Sequence, residues 1–263
     1  MTGMGGRQPV EPSALEWDRP SAARVYDYYL GGSHNFAIDR AAAEEALRAV
    51  PDLPQMTRAN RAFLRRAVRY CVDRGIRQFL DIGSGLPTVG PVHEIAPEAN
   101  VVYVDSDPVV VAHSRAMLGA TDRIAVLRAD VRDAGHVLSS PEVGVLIDLD
   151  RPLAVLMVGL LHFLSDSDDP AGVVARYRDA AASGSHLVLS HATADGFAEP
   201  WATTARVWGL ALRSHAEVTR LFAGYELLSP GVVHLSEWRP DTPQDVDKRP
   251  ERYTGYAGVG RKV

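Results

Sequence analysis

The chain has 263 residues, 46% of them hydrophobic and 23% charged, enough to bury one large core in a single α/β domain with a small cap. A net charge of −5 gives no electrostatic reason to expect nucleic acid or an anionic membrane as a partner. One cysteine, Cys71, excludes an intrachain disulfide and fits a reducing compartment, so a cytoplasmic location is expected.

In chain order, residues 1–18 are rich in Gly and Pro and predict a flexible N-terminus, with no signal-peptide pattern. Residues 19–75 predict a helical cap: Ser21 as an N-cap, Gly31-Gly32 as a break, Asp39 opening a second helix, and Pro51 and Pro54 ending it. A longer helix is predicted over about 58–74, where Leu64, Ala67, Val68 and Cys71 recur at helical spacing and should face the core. From 76 to 263 a catalytic core is predicted, with strands near 78–82, 101–105, 124–128, 153–158, 186–190, 225–228 and 256–260 and a helix over about 108–118. The apolar run 153–164 is too short to span a bilayer and is broken by His162, so it reads as a buried central strand and no membrane partner is expected. The three prolines within 239–252 predict a long surface loop between the last two strands.

The densest signal is Phe79-Leu-Asp-Ile-Gly-Ser-Gly85, followed twenty residues after Gly85 by a second strand ending in Asp105. Gly83 and Gly85, with Ser84 between them, allow a tight turn out of the first strand and close approach of a ligand to bare backbone. Asp105, with Ser106 beside it, stands where a ribose can offer both hydroxyls to one carboxylate. A dinucleotide fingerprint would carry Gly or Ala where this chain has Thr88, and Pro87 removes a phosphate-binding N–H. S-adenosylmethionine has no phosphate and tolerates both losses. A third strand ends in Ala129-Asp130-Val131, where the carboxylate can accept from an adenine amino group and the Val131 N–H can donate to a ring nitrogen. Asp81, Asp105 and Asp130, at three successive strand ends, suit an amine, a diol and an exocyclic amino group and would repel a pyrophosphate.

On these residues the chain resembles the class I S-adenosylmethionine-dependent methyltransferases, and more narrowly an actinobacterial branch long labelled a domain of unknown function. The narrow likeness rests on RPSAARVYDYYLGGSHNFAIDR at 19–40, QFLDIGSGLPT at 78–88 and VYVDSDP at 102–108. It continues through LHF at 161–163, LVLSHA at 187–192 and YAGVGRK at 256–262. In that branch Leu-Pro-Thr is the normal sequence after the second glycine, so the missing third glycine is a family trait. The helix near 91–96 is about a turn shorter than usual, which can alter the floor of the site. The resemblance implies a Rossmann-like, seven-stranded methyltransferase sheet with helices on both faces and an N-terminal helical cap. It implies S-adenosyl-L-methionine as cofactor, S-adenosyl-L-homocysteine as product, and methyl transfer to O or N of a small metabolite. Two alternatives stay open: a cofactor-binding regulatory or scaffolding protein without turnover, and an NAD-dependent oxidoreductase, against which Thr88 and Asp130 weigh.

Acceptor chemistry is expected in the cap, where Tyr28, Asn35 and Asp39 cluster with other aromatic and polar groups around Gly31-Gly32. Arg61 shares the inward face of its helix with Leu64 and Val68 and can hold the cofactor carboxylate bidentately. Alignment of donor and acceptor supplies most of the acceleration of a methyl displacement, and a base is needed only for a protonated acceptor. His162, after the fourth strand, is the first candidate for that base and His191, after the fifth, the second. No spacing of His, Cys or carboxylates commends a metal site.

Overall fold

The computed structural model describes residues 19–119, 121–196 and 199–263; the expected flexible segment 1–18 lies outside the described residues. Its sheet is built from β1 (Gln78–Ile82), β2 (Asn100–Asp105), β3 (Ile124–Arg128), β4 (Ala154–Val158), β5 (His186–Ala192), β6 (Tyr225–Leu227), β7 (Val233–His234) and β8 (Gly255–Lys262). The order is β3-β2-β1-β4-β5-β8-β6, with β7 pairing β8. Strands β1 to β5 run parallel, and β8 is antiparallel to β5, β6 and β7.

Eight strands replace the seven expected. The additional one, β7, has two residues, Val233 and His234, opposite Ala257 and Tyr256, and is too short to leave a period in the sequence. The parallel strands read as continuous apolar runs because helices cover both faces. One face buries Leu80, Ile82, Val102, Val104 and Met157 in one core cluster; the other buries Phe79, Val101, Tyr103 and Leu156 in a second. That alternation along each strand is the period-2 geometry of a pleat.

Three helices precede the sheet: α1 (Ala22–Tyr29), α2 (Ala37–Ala49) and α3 (Leu53–Asp73). The predicted face of α3 is buried in the second cluster, with Leu64, Ala67, Val68 and Cys71 at most 3% exposed. Pro54 does not end α2 but lies in the first turn of α3, where a missing N–H leaves no bond unmade, so α3 starts about a turn earlier than its periodicity indicates. Asp39 is the third residue of α2, not its opening; its carboxylate accepts the Phe36 N–H at 2.8 Å from inside the first turn. Ser21 occupies the N-cap of α1, but its hydroxyl donates to Asp107 at 2.8 Å instead of capping the helix. The 239–252 loop carries two short 3₁₀ turns, Pro243–Asp245 and Pro250–Tyr253.

The chain lays down β1, β2 and β3 outward in one direction and then places β4 on the other side of β1. This reversal splits the helices that follow β1 and β4 to opposite faces and opens a crevice at the carboxyl ends of those strands, the usual ligand position in open α/β sheets.

Candidate active site

A cavity of about 750 Å³ fills that crevice. Its floor is the loop after β1, where Gly83 and Gly85 have φ of +68° and +61°. The N–H groups of Gly83 and Ser84 donate to the Val104 carbonyl at 2.8 and 3.1 Å and lash the loop to β2. A Cβ on Gly83 would lie 2.5 Å from the Leu160 side chain, whereas one on Gly85 would meet only Ala23, 3.8 Å away across the cavity. Backbone conformation thus favours glycine at both positions, and at the first a side chain would also collide with Leu160. Asp105 accepts the Gly85 N–H at 2.9 Å through Oδ2 and the Asp107 N–H at 3.0 Å through Oδ1. Burial pushes its carboxyl up while those N–H groups hold it down. Ser84 and Ser106 line the same cavity.

At the end of β1, Asp81 is 6% exposed, and among the described residues no hydrogen bond reaches its carboxylate. Burial, with Asp105 adding repulsion and Arg61 opposing it, pushes the Asp81 carboxyl up to about 7. The Arg61 guanidinium lies over the Tyr26 ring, 5.6 Å from its centroid, and its Nε is buried without a partner. An under-satisfied carboxylate and an under-satisfied guanidinium close enough to feel each other's charge, both on the cavity wall, fit a ligand end bearing an ammonium and a carboxylate.

Asp130 and Val131 also line the cavity. The Asp130 carboxylate already holds Arg132, which donates from its backbone N–H (2.9 Å) and Nε (2.9 Å) to Oδ1 and from Nη2 (2.6 Å) to Oδ2. Those hydrogen bonds hold Asp130 below the usual carboxylate range. One lone pair of Oδ2 is left for an incoming donor. Arg132, which also reaches Asp168 at 3.0 Å, escaped the sequence reading although it stands two residues from Asp130.

Helix α1 roofs the cavity with Ala22, Ala23, Arg24, Tyr26 and Asp27. Asp27, 1% exposed, accepts from the Thr88 hydroxyl at 2.7 Å and from His34 N–H and Asn35 Nδ2 at 2.9 Å each. Thr88, which departs from the dinucleotide fingerprint, therefore fastens the roof to the glycine loop. Arg24 donates to Asp39 at 2.7 Å, and Asp39, fully buried, also accepts the Ser21 N–H at 2.9 Å. The three residues expected to meet the acceptor do not line the cavity: Asp39 and Asn35 brace the roof from within, and the Tyr28 hydroxyl faces Glu44 on the outside at 3.4 Å. Their polar groups sit in the right segment but are spent on bonds within and between α1, α2 and the turn that connects them. Asp27 stands in no spacing that distinguishes it from an ordinary surface group, and Thr88, singled out by its spacing from the glycines, gave no sign of its partner on α1.

A second cavity, of about 170 Å³, lies beyond the end of β4 and shares Ala22, Tyr26, Asn60, Gly159, His162 and Phe163 with the first. Nδ1 of His162 accepts the Ala192 N–H at 3.3 Å; burial, with His191 and Arg213 nearby, pushes His162 down to about 3. The neutral ring therefore carries its proton on Nε2. His191 is 1% exposed and uses both nitrogens, Nδ1 donating to the Ala192 carbonyl at 2.7 Å and Nε2 accepting from Arg213 at 2.9 Å. With burial holding it at about 4, His191 has no lone pair to offer, contrary to its expected role as a base.

A reversed parallel sheet with an antiparallel strand inserted at one side, a glycine loop without phosphate-binding capacity, and carboxylates at three strand ends define a class I methyltransferase. The chain belongs to the S-adenosyl methyltransferase family, whose profile matches residues 8–263. It is an enzyme that uses S-adenosylmethionine, which removes the dinucleotide alternative. The chain is similar to a candidate methyltransferase from Thermobifida fusca, with 43% identity over 95% of this chain and 98% of that one and a TM-score of 0.89. It is equally close in structure to a DUF574 family protein from Streptomyces avermitilis, at 39% identity, 94% and 98% coverage and a TM-score of 0.89. The N-methyltransferase NodS of Bradyrhizobium japonicum, in complex with S-adenosylhomocysteine, shares the fold at 13% identity, 91% and 98% coverage and a TM-score of 0.51. No curated protein matches in sequence. Among the described residues no helix is long and apolar enough to cross a membrane, and no group of His, Cys, Asp and Glu could hold a metal ion.

Proposed function

We propose that the enzyme methylates O or N of a small metabolite held in the second cavity. The observation that carries this reading is the wall of six residues common to a polar cavity and an apolar one at the end of β4. When bound, the cofactor supplies an electrophilic methyl group on a sulfonium. Gly83, Ser84 and Gly85 give it bare backbone, Asp105 and Ser106 take the ribose, and Asp130 with Val131 takes the adenine edge. Asp81 takes its ammonium and Arg61 its carboxylate; the unpartnered Arg61 Nε and the elevated Asp81 support that pairing. The roof residues Tyr26 and Asp27 exclude water, and the chain's own work is alignment. His162, neutral with its acceptor nitrogen taken, positions groups at the shared wall and removes no proton. The lone, buried Cys71 supports a cytoplasmic site of action.

The test is release of S-adenosylhomocysteine by the full chain incubated with S-adenosylmethionine and a panel of small O- and N-nucleophiles. Product release that depends on one panel member, with a methylated product by mass, is the result expected. Cofactor binding without release for any acceptor would return the protein to a role without turnover.

A further inference from the structure

We propose that the methyl acceptor is an uncharged, single-ring arylamine seated in the 170 Å³ cavity, with its nitrogen held by Asn60. This inference rests on the preceding reading of the two cavities and deepens it.

Size comes first. An apolar cavity of about 150 Å³ holds a benzene ring, so 170 Å³ accommodates one six-membered ring with a small substituent better than a fused pair. The walls include Val25, Tyr29, Met56, Trp201 and Trp208, flat and apolar surfaces suited to an aromatic face. Charge comes second. Among the described residues no Lys, Arg, Asp or Glu lines this cavity, and burial keeps both of its histidines neutral. A carboxylate or ammonium entering it would lose its hydration and find no counter-ion.

Polar capacity comes third, and it is concentrated at the wall shared with the cofactor cavity. The hydroxyls of Tyr29, Thr57 and Thr204 each donate to a backbone carbonyl, those of Ala43, Leu53 and Pro200. Ser190 accepts the Gly159 N–H at 2.9 Å and donates to Asn60 Oδ1 at 2.6 Å, while Asn60 Nδ2 donates to Tyr26 Oη at 3.0 Å and Tyr26 passes its proton to the Thr57 carbonyl at 3.2 Å. These bonds orient the Asn60 amide and leave Oδ1 one lone pair and Nδ2 one N–H. A substrate N–H fits that lone pair.

The same inventory selects the nucleophile. A phenol is protonated at neutral pH and needs a base, and among the described residues the cavity wall has no carboxylate and no free imidazole lone pair. An arylamine arrives with its nitrogen lone pair available. That pair forms the new N–C bond, the methyl–sulfur bond breaks with its electrons remaining on sulfur, and the resulting arylammonium loses its proton to water on leaving a cavity that cannot stabilise a cation.

Titration of the full chain, with and without S-adenosylhomocysteine, uses the fluorescence of Trp201 and Trp208 and the probes aniline, benzylamine, benzoate and phenol. Aniline should saturate the signal, and the charged benzoate and benzylammonium should bind at least about tenfold more weakly. In turnover with S-adenosylmethionine, aniline should give N-methylaniline while phenol gives no anisole. Asn60→Leu should raise the KM for aniline about tenfold, and Trp208→Ala should admit a bicyclic arylamine that the parent chain rejects. Benzoate binding as tightly as aniline, with or without cofactor, overturns the inference; so does methylation of phenol at the rate of aniline. Turnover of only charged or aliphatic acceptors would overturn it while leaving methyl transfer intact, whereas loss of S-adenosylhomocysteine binding itself would strike the preceding reading.

Discussion

The two cavities meet at one wall yet obey opposite rules. The larger is bounded by Asp81 and Arg61, whose charges are incompletely matched by the protein, and by Asp105 and Asp130, while among the described residues the smaller has no charged side chain on its wall. On the proposed reading, local charge would hold the cofactor by its polar ends and local neutrality would leave the acceptor dependent on shape and a few neutral polar groups. The difference explains why one half of the site was legible in sequence. Strand ends are punctuated by motifs, so Asp81, Gly83, Gly85, Asp105 and Asp130 announce themselves by spacing, and the structure gathers all of them around one cavity. The smaller cavity is assembled from α1, α3, β5, the helix Glu199–Val207 and the Tyr253–Gly255 turn. Its residues are separated by as much as the length of the domain, and although several lie in the quoted motifs, no spacing among them shows that they share a cavity.

Gly85→Val should produce the largest effect on the polar side. A β-branched residue at φ +61° is strained, and its side chain would enter the space between the loop and Ala23, so cofactor affinity should fall by roughly a hundredfold or more in calorimetry. Retained affinity would mean that the ligand approaches elsewhere. Asp105→Ala should cost about 1.5 to 3 kcal/mol of cofactor binding, the range for hydrogen bonds to a charged group, with an unchanged circular dichroism spectrum. Aniline binding to the neighbouring cavity should be indifferent to it, and a loss there of similar size would erase the distinction between the two halves.

The raised Asp81 makes the polar side sensitive to pH. Free protein holds this proton below about 7, and a bound ammonium favours the carboxylate, so binding expels the proton. Affinity should therefore rise with pH by at most about tenfold per unit up to about 7 and be flat just above it. Asp81→Asn should abolish the slope; an unchanged slope would assign the titration to another group. Thr88→Val removes the hydroxyl that fastens α1 to the glycine loop and should cost about 1 kcal/mol of cofactor affinity, with faster hydrogen exchange over Ala22–Tyr29. No change in exchange would make the roof independent of the loop. The smallest effect belongs to His162→Gln, which should leave the shape of the pH–rate profile unaltered because the imidazole is neutral above about 3. Disappearance of a limb of that profile would restore His162 as a base.

The cap shows where sequence reasoning reached the right segment and the wrong atoms. Composition around Gly31-Gly32 pointed to a functional element, and α1 does roof the cavity, but through Arg24, Tyr26 and Asp27. Asn35 and Asp39 look identical in sequence to ligand-binding groups because an Asx side chain bonds backbone or ligand with the same oxygen. Only the packing of α1 on α2 decides which. Likewise β7 and the early start of α3 at Leu53 depend on pairing and on Pro54 entering a first turn, neither of which periodicity encodes. His191 stood at the expected strand end, but Arg213, 22 residues away, consumes its lone pair.

Calorimetric titration of S-adenosylhomocysteine into the wild-type chain and Gly85→Val, at pH 6 and pH 8, tests the central claim most directly. One site per chain is expected, with tighter binding and less proton release at pH 8 than at pH 6, and no measurable heat for Gly85→Val. Equal binding by the two proteins, or none by the wild type, would contradict it.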